Sequence, residues 1–276
     1  MLNKAEGGKL RKILAIDGKT QRGNSNKNQK ANHIVSAVDE KGFCLGQTRV
    51  EEKTNEIKAI PELLERLNIK GTIITTDAMG TQIEIVKKIR QKRADYVLAL
   101  KRNQGMLYED VSLYFKDIQM KESCEYRKTV EKARGRIEKR EYWQTDDIAW
   151  MKKGKKDWSG LKTIAMTRNT IEENGLKTVE ERYYISSLEK DVKEVSRAIR
   201  GHWMVESYHW HLDVTFREDG NRTLEKQASD HLNIIRKMAL NILKVYEVGS
   251  RPLSIKKKRF AIGTNPEKHL ERILEL

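Results

Sequence analysis

Three acidic residues stand where they could do chemistry: Asp17, Asp77 and Glu206, which are 60 and 129 residues apart. Asp17 closes the apolar run Ile13-Leu14-Ala15-Ile16, and Asp77 closes Thr72-Ile73-Ile74-Thr75-Thr76. A buried strand fixes the direction of a side chain at its end, which suits a reacting group. If the two strands are neighbours, the two aspartates lie side by side at one sheet edge. Adjacent carboxylates repel and raise one another's pKa unless a cation sits between them. Hard oxygen ligands of this kind suit Mg²⁺ or Mn²⁺. A pair of such ions can clamp the attacking and leaving oxygens of a phosphodiester. Blander readings compete at each position. Asp17-Gly18 is also a common turn dipeptide, and Glu206 could be a buried acid paired with Arg200 or His202.

Glu206 belongs to the stretch Arg200–Asp219, which has no proline and repeats its apolar residues at helical spacing: Trp203, Trp210, Val214 and Val205, Leu212, Phe216. At about 100° per residue, His202, Glu206, His209 and Asp213 fall on one narrow side of that helix. His202, Glu206 and His209 could bind zinc from one face. The two histidines read more simply as packing groups or as supports of a neighbouring ligand. Trp203 and Trp210 could stack on an unpaired base, but such residues are more often core.

The elements that must position these groups follow from pattern. Lys12–Ile16 reads as a buried strand ending in a turn at Asp17-Gly18, Gly23–Lys30 as a loop, and Asn32–Val38 and Phe43–Val50 as strands of an antiparallel meander. Asn55 can cap a helix over 56–67, with Pro61 marking a kink or a later start. Thr72–Asp77, a helix over Gln82–Lys92 with Ile83, Val86 and Ile89 on one face, and the strand Asp95–Leu100 form a parallel crossover unit. Met106–Phe115 reads as helix. Between about 117 and 190, charge is dense and alternation returns in Cys124–Val130, Arg136–Gln144, Thr163–Thr167 and Arg182–Ile185, with a basic loop at 152–156 and a turn at Glu172–Gly175. Residues 191–219 and 227–247 return to helix, the latter with Leu232, Ile235, Met238, Ile242 and Val245 as its expected packing stripe. Ser254–Arg259 forms a basic element near the end.

The chain has 276 residues, 55 Lys plus Arg against 40 Asp plus Glu, a formal charge of +15 and a pI of about 9.6. That surplus favours polyanionic partners, nucleic acid first. No run of 18 apolar residues and no signal-peptide pattern at Met1–Glu6 supports a membrane. Two distant cysteines, Cys44 and Cys124, make neither a disulfide framework nor a zinc motif, so a reducing, cytoplasmic setting is expected. Gly18, Gly23 and Gly80 are scattered, and no glycine-rich phosphate loop is present.

Five segments carry a resemblance: Ile-Asp-Gly-Lys-Thr at 16–20, Asn-Glu-Ile-Lys-Ala-Ile-Pro-Glu-Leu-Leu at 55–64, Thr-Asp-Ala-Met-Gly at 76–80, Leu-Lys-Arg-Asn-Gln at 100–104 and His-Trp-Met-Val-Glu at 202–206. With Leu-Asp-Val-Thr-Phe-Arg-Glu-Asp at 212–219, they make a chain that resembles a bacterial insertion-sequence DDE transposase of the H-repeat-associated family. The resemblance covers nearly all of the sequence, with the motifs in the family's order. It implies an α/β fold: a ribonuclease-H-like mixed sheet flanked by helices, with a β-rich insertion before the last catalytic helix. The expected parts are 1–116 and 191–276 for the core and 117–190 for the insertion. It implies Asp17, Asp77 and Glu206 as the DDE triad holding Mg²⁺ or Mn²⁺, DNA as partner and, within a transposition complex, a homodimer as the assembly to test. Lys19, Lys101, Arg102, Arg200 and Arg217 are the basic residues expected to hold DNA phosphate.

Two departures qualify this. Where relatives carry Tyr, Arg and Lys around the third acid, this chain has Ile199, His202 and Asp213. Only about fifteen residues precede Ile16, so a shortened N-terminus is expected, and with no recognisable base-reading motif, poor selectivity for any end sequence. The competing readings are a non-catalytic DNA-binding remnant and a metal-dependent DNA nuclease of the same fold.

Overall fold

A computed structural model describes residues 10–50, 56–133, 135–152 and 158–276. The Asn55 cap, the opening six residues and all but the first residue of the basic loop 152–156 lie outside them. The hydrogen-bonded strand order is β3-β2-β1-β4-β5-β9-β8-β7-β6, with the ranges given below. The chain divides into two compact units, one of residues 1–16 and 60–202, the other of 17–59 and 203–276.

In the first unit, the start of β1 (Ile13–Thr20) pairs in parallel with β4 (Ile73–Thr76), in the register Ile13↔Ile73 through Ile16↔Thr76. The two apolar runs are therefore neighbours, as sharing an ion would require. β4 pairs in parallel with β5 (Asp95–Leu100), and α2 (Ile83–Gln91) makes the crossover. That helix buries Ile85, Val86 and Ile89. Ile83, expected on the buried face, is only half-buried, because the packed stripe begins two residues further along, at Ile85. Next come α3 (Met106–Lys116) and α4 (Ile118–Glu122). The strand-rich segment then forms β6 (Glu125–Ala133), β7 (Arg136–Thr145), β8 (Thr163–Glu173) and β9 (Leu176–Ser186), all antiparallel. The β8–β9 hairpin turns at Asn174 and Gly175, with φ of 51° and 76°, the left-handed pair that a two-residue turn between twisted strands requires. β9 pairs directly with β5, so this segment extends the same sheet. The helix α5 (Val192–Trp210) starts in this unit. Gly201 lets it approach β1 closely, since a Cβ there would stand 2.9 Å from Ile13 Cδ1. Arg11 fastens the same region with hydrogen bonds of 2.6 Å to Asp95 and 2.8 and 2.5 Å to the two oxygens of Glu194.

In the second unit, β2 (His33–Asp39) and β3 (Cys44–Val50) form an antiparallel hairpin. The turn expected at Asp17-Gly18 does not occur: β1 runs on to Thr20. Glycine is needed at position 18 for close approach. A Cβ there would stand 2.4 Å from both Glu56 Oε1 and His33 Nε2. His33 and Glu56 are almost fully buried and hydrogen-bonded to each other, and His33 Nδ1 meets Thr20 Oγ1 at 2.8 Å. We expect Gly18→Ala to cost about 1–3 kcal/mol, the usual penalty of overpacking, measured by denaturant unfolding; stability equal to that of the parent would mean the pair can give way freely. Pro61 lies inside α1 (Glu56–Arg66) and does not start it.

The long helix expected over 191–219 is interrupted. After Trp210 the backbone forms a π-turn over His211–Thr215, Arg217 takes a left-handed φ of 51°, and a 3₁₀ turn covers Glu218–Gly220. α6 (Lys226–Val245) turns its expected apolar stripe outward: Ile235, Met238 and Val245 are at least half exposed. It buries Ser229, Asn233, Lys237, Leu240 and Leu243 instead. Each polar member of that face meets a partner, although Asn233 Oδ1 meets none among the described residues. Ser229 accepts from Asn24 at 2.8 Å, Asn233 donates to Glu218, and Lys237 donates to Ser36 at 2.7 Å. Polar groups can be buried when each finds a partner, which is why periodicity picked the wrong face. Finally, α7 (Ile255–Thr264) is capped by Ser254, and α8 (Pro266–Leu274) by Asn265.

Candidate active site

Asp17 and Asp77 are the residues next after Ile16 and Thr76, which are paired in register. Asp77 is half-buried just past β4, where its Oδ1 accepts the backbone amides of Met79 and Gly80 at 3.0 and 3.3 Å. Such an Asx turn fixes the direction of the carboxylate. Both amides go to Oδ1, so Oδ2 is the oxygen that this turn leaves to offer. Asp17 lies within β1, on the opposite strand face to Gly18, as alternation requires. Its Oδ2 stands 3.5 Å from Nδ1 of His209 in the second unit.

Glu206 is exposed on α5, so the costly burial that would have forced a partner on it does not arise. Arg200 approaches Glu131, at 4.0 Å, and His202 Nδ1 meets Thr75 Oγ1 at 3.0 Å. Trp203 and Trp210, expected in the core, are 37% and 55% exposed. The face they share on α5 is turned to solvent. Glu206 and His209, three residues apart, are neighbours on one helix face, with Cβ atoms about 5–6 Å apart by helix geometry.

The basic residues divide. Lys19 is engaged by three carboxylates, with Nζ 2.7 Å from Asp213, 3.0 Å from Glu218 and 3.0 Å from Asp219. Burial alone would lower its pKa; the carboxylates outweigh that and hold it above the usual lysine value. Its charge is therefore matched within the protein. Glu218, at 1% exposure, also accepts from Gln21 at 3.3 Å and from Asn233. No periodicity marks it as buried, and sequence reasoning passed over it. Lys101, Arg102 and Arg217 are exposed. Of the basic element near the end, Lys256 and Lys257 are exposed, whereas Lys258 is buried against Glu247 at 2.7 Å.

Among the described residues, no three His, Cys, Asp or Glu side chains are gathered closely enough to hold an ion by themselves, which removes the zinc reading of the α5 face. Mg²⁺ commonly takes only one or two carboxylates and completes its shell with water and substrate phosphate. Asp17, Asp77 and Glu206 each offer only oxygen donors, the ligand chemistry that Mg²⁺ takes. Among the described residues no helix is long and apolar enough to cross a membrane.

Comparison with known proteins gives the family. The transposase DDE domain matches residues 8–242. YncI of Escherichia coli O157:H7, named as a candidate transposase, is 40% identical over 260 residues, covering 91% of this chain and 67% of that protein. YbfL of Escherichia coli K12 is 38% identical, as is YhhI of the same strain, named as an H repeat-associated candidate transposase. Each match covers 87% of this chain and 66% of the relative. The chain thus spans about two thirds of the length of these relatives. With the mixed sheet and a match over most of its length, the chain belongs to the DDE transposase family, whose domain has a ribonuclease-H-like fold.

Proposed function

We propose that this chain is the catalytic core of a transposase, which cuts DNA phosphodiesters and joins the freed 3′ end to a new strand. The observation that carries the reading is the register Ile16↔Thr76, which brings Asp17 and Asp77 next after two paired residues in a chain of this family. Asp17, Asp77 and Glu206 would hold Mg²⁺ or Mn²⁺. When bound, such an ion supplies an activated oxygen nucleophile and neutralises charge on the leaving oxygen. The chain's own part is positioning. The Asx turn at Asp77 fixes one carboxylate, β1 fixes the second, and α5 presents the third. Exposed Lys101, Arg102 and Arg217 are available to meet the DNA backbone. In-line attack needs the attacking and leaving oxygens opposed across the phosphorus, with water as nucleophile in the cutting step and a 3′ hydroxyl in the joining step.

The test is a reaction with labelled DNA bearing a 3′ hydroxyl end, in Mg²⁺ or Mn²⁺, followed on a denaturing gel. Nicked products together with longer, joined products are expected. Nicking without joining would make the chain a nuclease of the same fold. Neither product, with DNA still bound, would make it a DNA-binding remnant.

A further inference from the structure

We infer that His209 is a positioning residue for Asp17, holding that carboxylate in the orientation in which it takes the divalent ion. The inference rests on the reading of Asp17 as an ion-holding acid. Its geometry is separate, and all of it lies within the second unit. His209 Nδ1 stands 3.5 Å from Asp17 Oδ2, with the two side chains 12% and 26% exposed, so the contact is largely sheltered from water. The second ring nitrogen, Nε2, is buried and meets no hydrogen-bond partner among the described residues. The ring is thus packed with one nitrogen buried and unpartnered among the described residues and the other turned to the carboxylate. With the proton on Nδ1, the N–H faces Oδ2, the acceptor it would meet on a small approach.

A distance of 3.5 Å is longer than the ~2.7–3.2 Å of a formed N–H···O bond. Contacts in catalytic sites are often long before substrate binds and tighten afterwards. The sequence supplies the alignment. His209 lies three residues beyond Glu206, so one helix face carries both an acid of the triad and the support of another. A ligand carboxylate free to rotate loses affinity to conformational averaging, and its hydrogen-bonding supports are worth about 10–100-fold in metal affinity. His209 does not touch the reacting atoms in this arrangement; it acts through Asp17.

The readout is Mn²⁺ binding to the full chain with DNA present, by calorimetry, alongside thermal unfolding. His209→Leu is expected to weaken Mn²⁺ binding about tenfold or more. His209→Asn places an amide N–H close to where Nδ1 stands and should restore binding to within a few-fold of the parent. His209→Gln places its amide nearer Nε2 and should behave like the Leu variant. A purely structural role would not separate Asn from Gln in this way. Asp17→Asn is the control that keeps the two readings apart. If it abolishes Mn²⁺ binding while His209→Leu and His209→Gln both bind as the parent does, the His209 assignment is overturned and the Asp17 reading stands. If Asp17→Asn binds Mn²⁺ normally, the Asp17 reading falls and this inference falls with it. Should the Leu variant fail to fold, the Asn–Gln contrast still decides.

Discussion

Asp77→Asn is expected to lower DNA cutting in Mg²⁺ by roughly a thousandfold, a loss of about 4 kcal/mol in transition-state stabilisation, while DNA binding changes by less than about threefold. Asp17→Asn and Glu206→Gln should follow it. Each substitution removes one negative charge while nearly preserving shape, so affinity for a polyanion should hold or rise slightly. Asp77 is the most informative of the three. Its Oδ1 already serves the amides of Met79 and Gly80. The Asn side chain can keep that turn through its own Oδ1 and lose only the second carboxylate oxygen. The fold at β4 therefore survives the substitution, and the loss reports on the ion. Replacing all three acids together should cost little more than replacing one, because groups that act as a unit are not additive. Cutting by Asp77→Asn at the parental rate in Mg²⁺ would remove Asp77 from the chemistry.

How much of this was legible in the sequence depended on which physical signal each element gave. Short apolar runs bounded by polar residues located β4 and β5 within a residue of their observed ends, because a fully buried strand must be apolar throughout. The turn at Asn174-Gly175 was legible because few residues tolerate a left-handed φ. The end of β1 was misread because Gly18 has two explanations, a turn or a close approach. Only the position of His33 and Glu56, 15 and 38 residues further on, decides between them. The buried face of α6 was misread for a related reason. Ser229, Asn233 and Lys237 are buried through partners at Asn24, Glu218 and Ser36, which lie 205, 15 and 201 residues away, and pairings at such separations leave no local periodicity. The interruption of α5 after Trp210 is equally silent, since the extra residue that a π-turn takes in carries no residue-type signature. At the candidate site, residue type and strand ends singled out Asp17 and Asp77. The exposure of Trp203 and Trp210 and the contact of His209 with Asp17 needed coordinates.

Duplex DNA affinity should fall about 10³–10⁵-fold between roughly 50 and 200 mM salt, the behaviour of a protein neutralising some six to ten phosphates. The surplus of 15 positive charges is the driving quantity. Cations matched inside the protein do not diminish it, since Lys19 against its carboxylates, Arg11 against Asp95 and Glu194, and Lys258 against Glu247 each involve acids already counted. The net excess must therefore be carried by exposed side chains such as Lys101, Arg102, Arg217, Lys256 and Lys257. Individual residues are separable by the slope of log affinity against log salt. Lys101→Ala or Arg102→Ala should reduce that slope by about one if the residue meets a phosphate. Lys19→Ala should leave the slope nearly unchanged and lower stability instead, because it strands the buried Glu218 without its cation. If Lys19→Ala flattened the slope and left unfolding untouched, Lys19 would be a DNA contact and its carboxylate cluster would have to open on binding. An affinity that stayed flat across the whole salt range would point away from nucleic acid altogether, because no polyanion can be bound through that many charges without releasing its counterions.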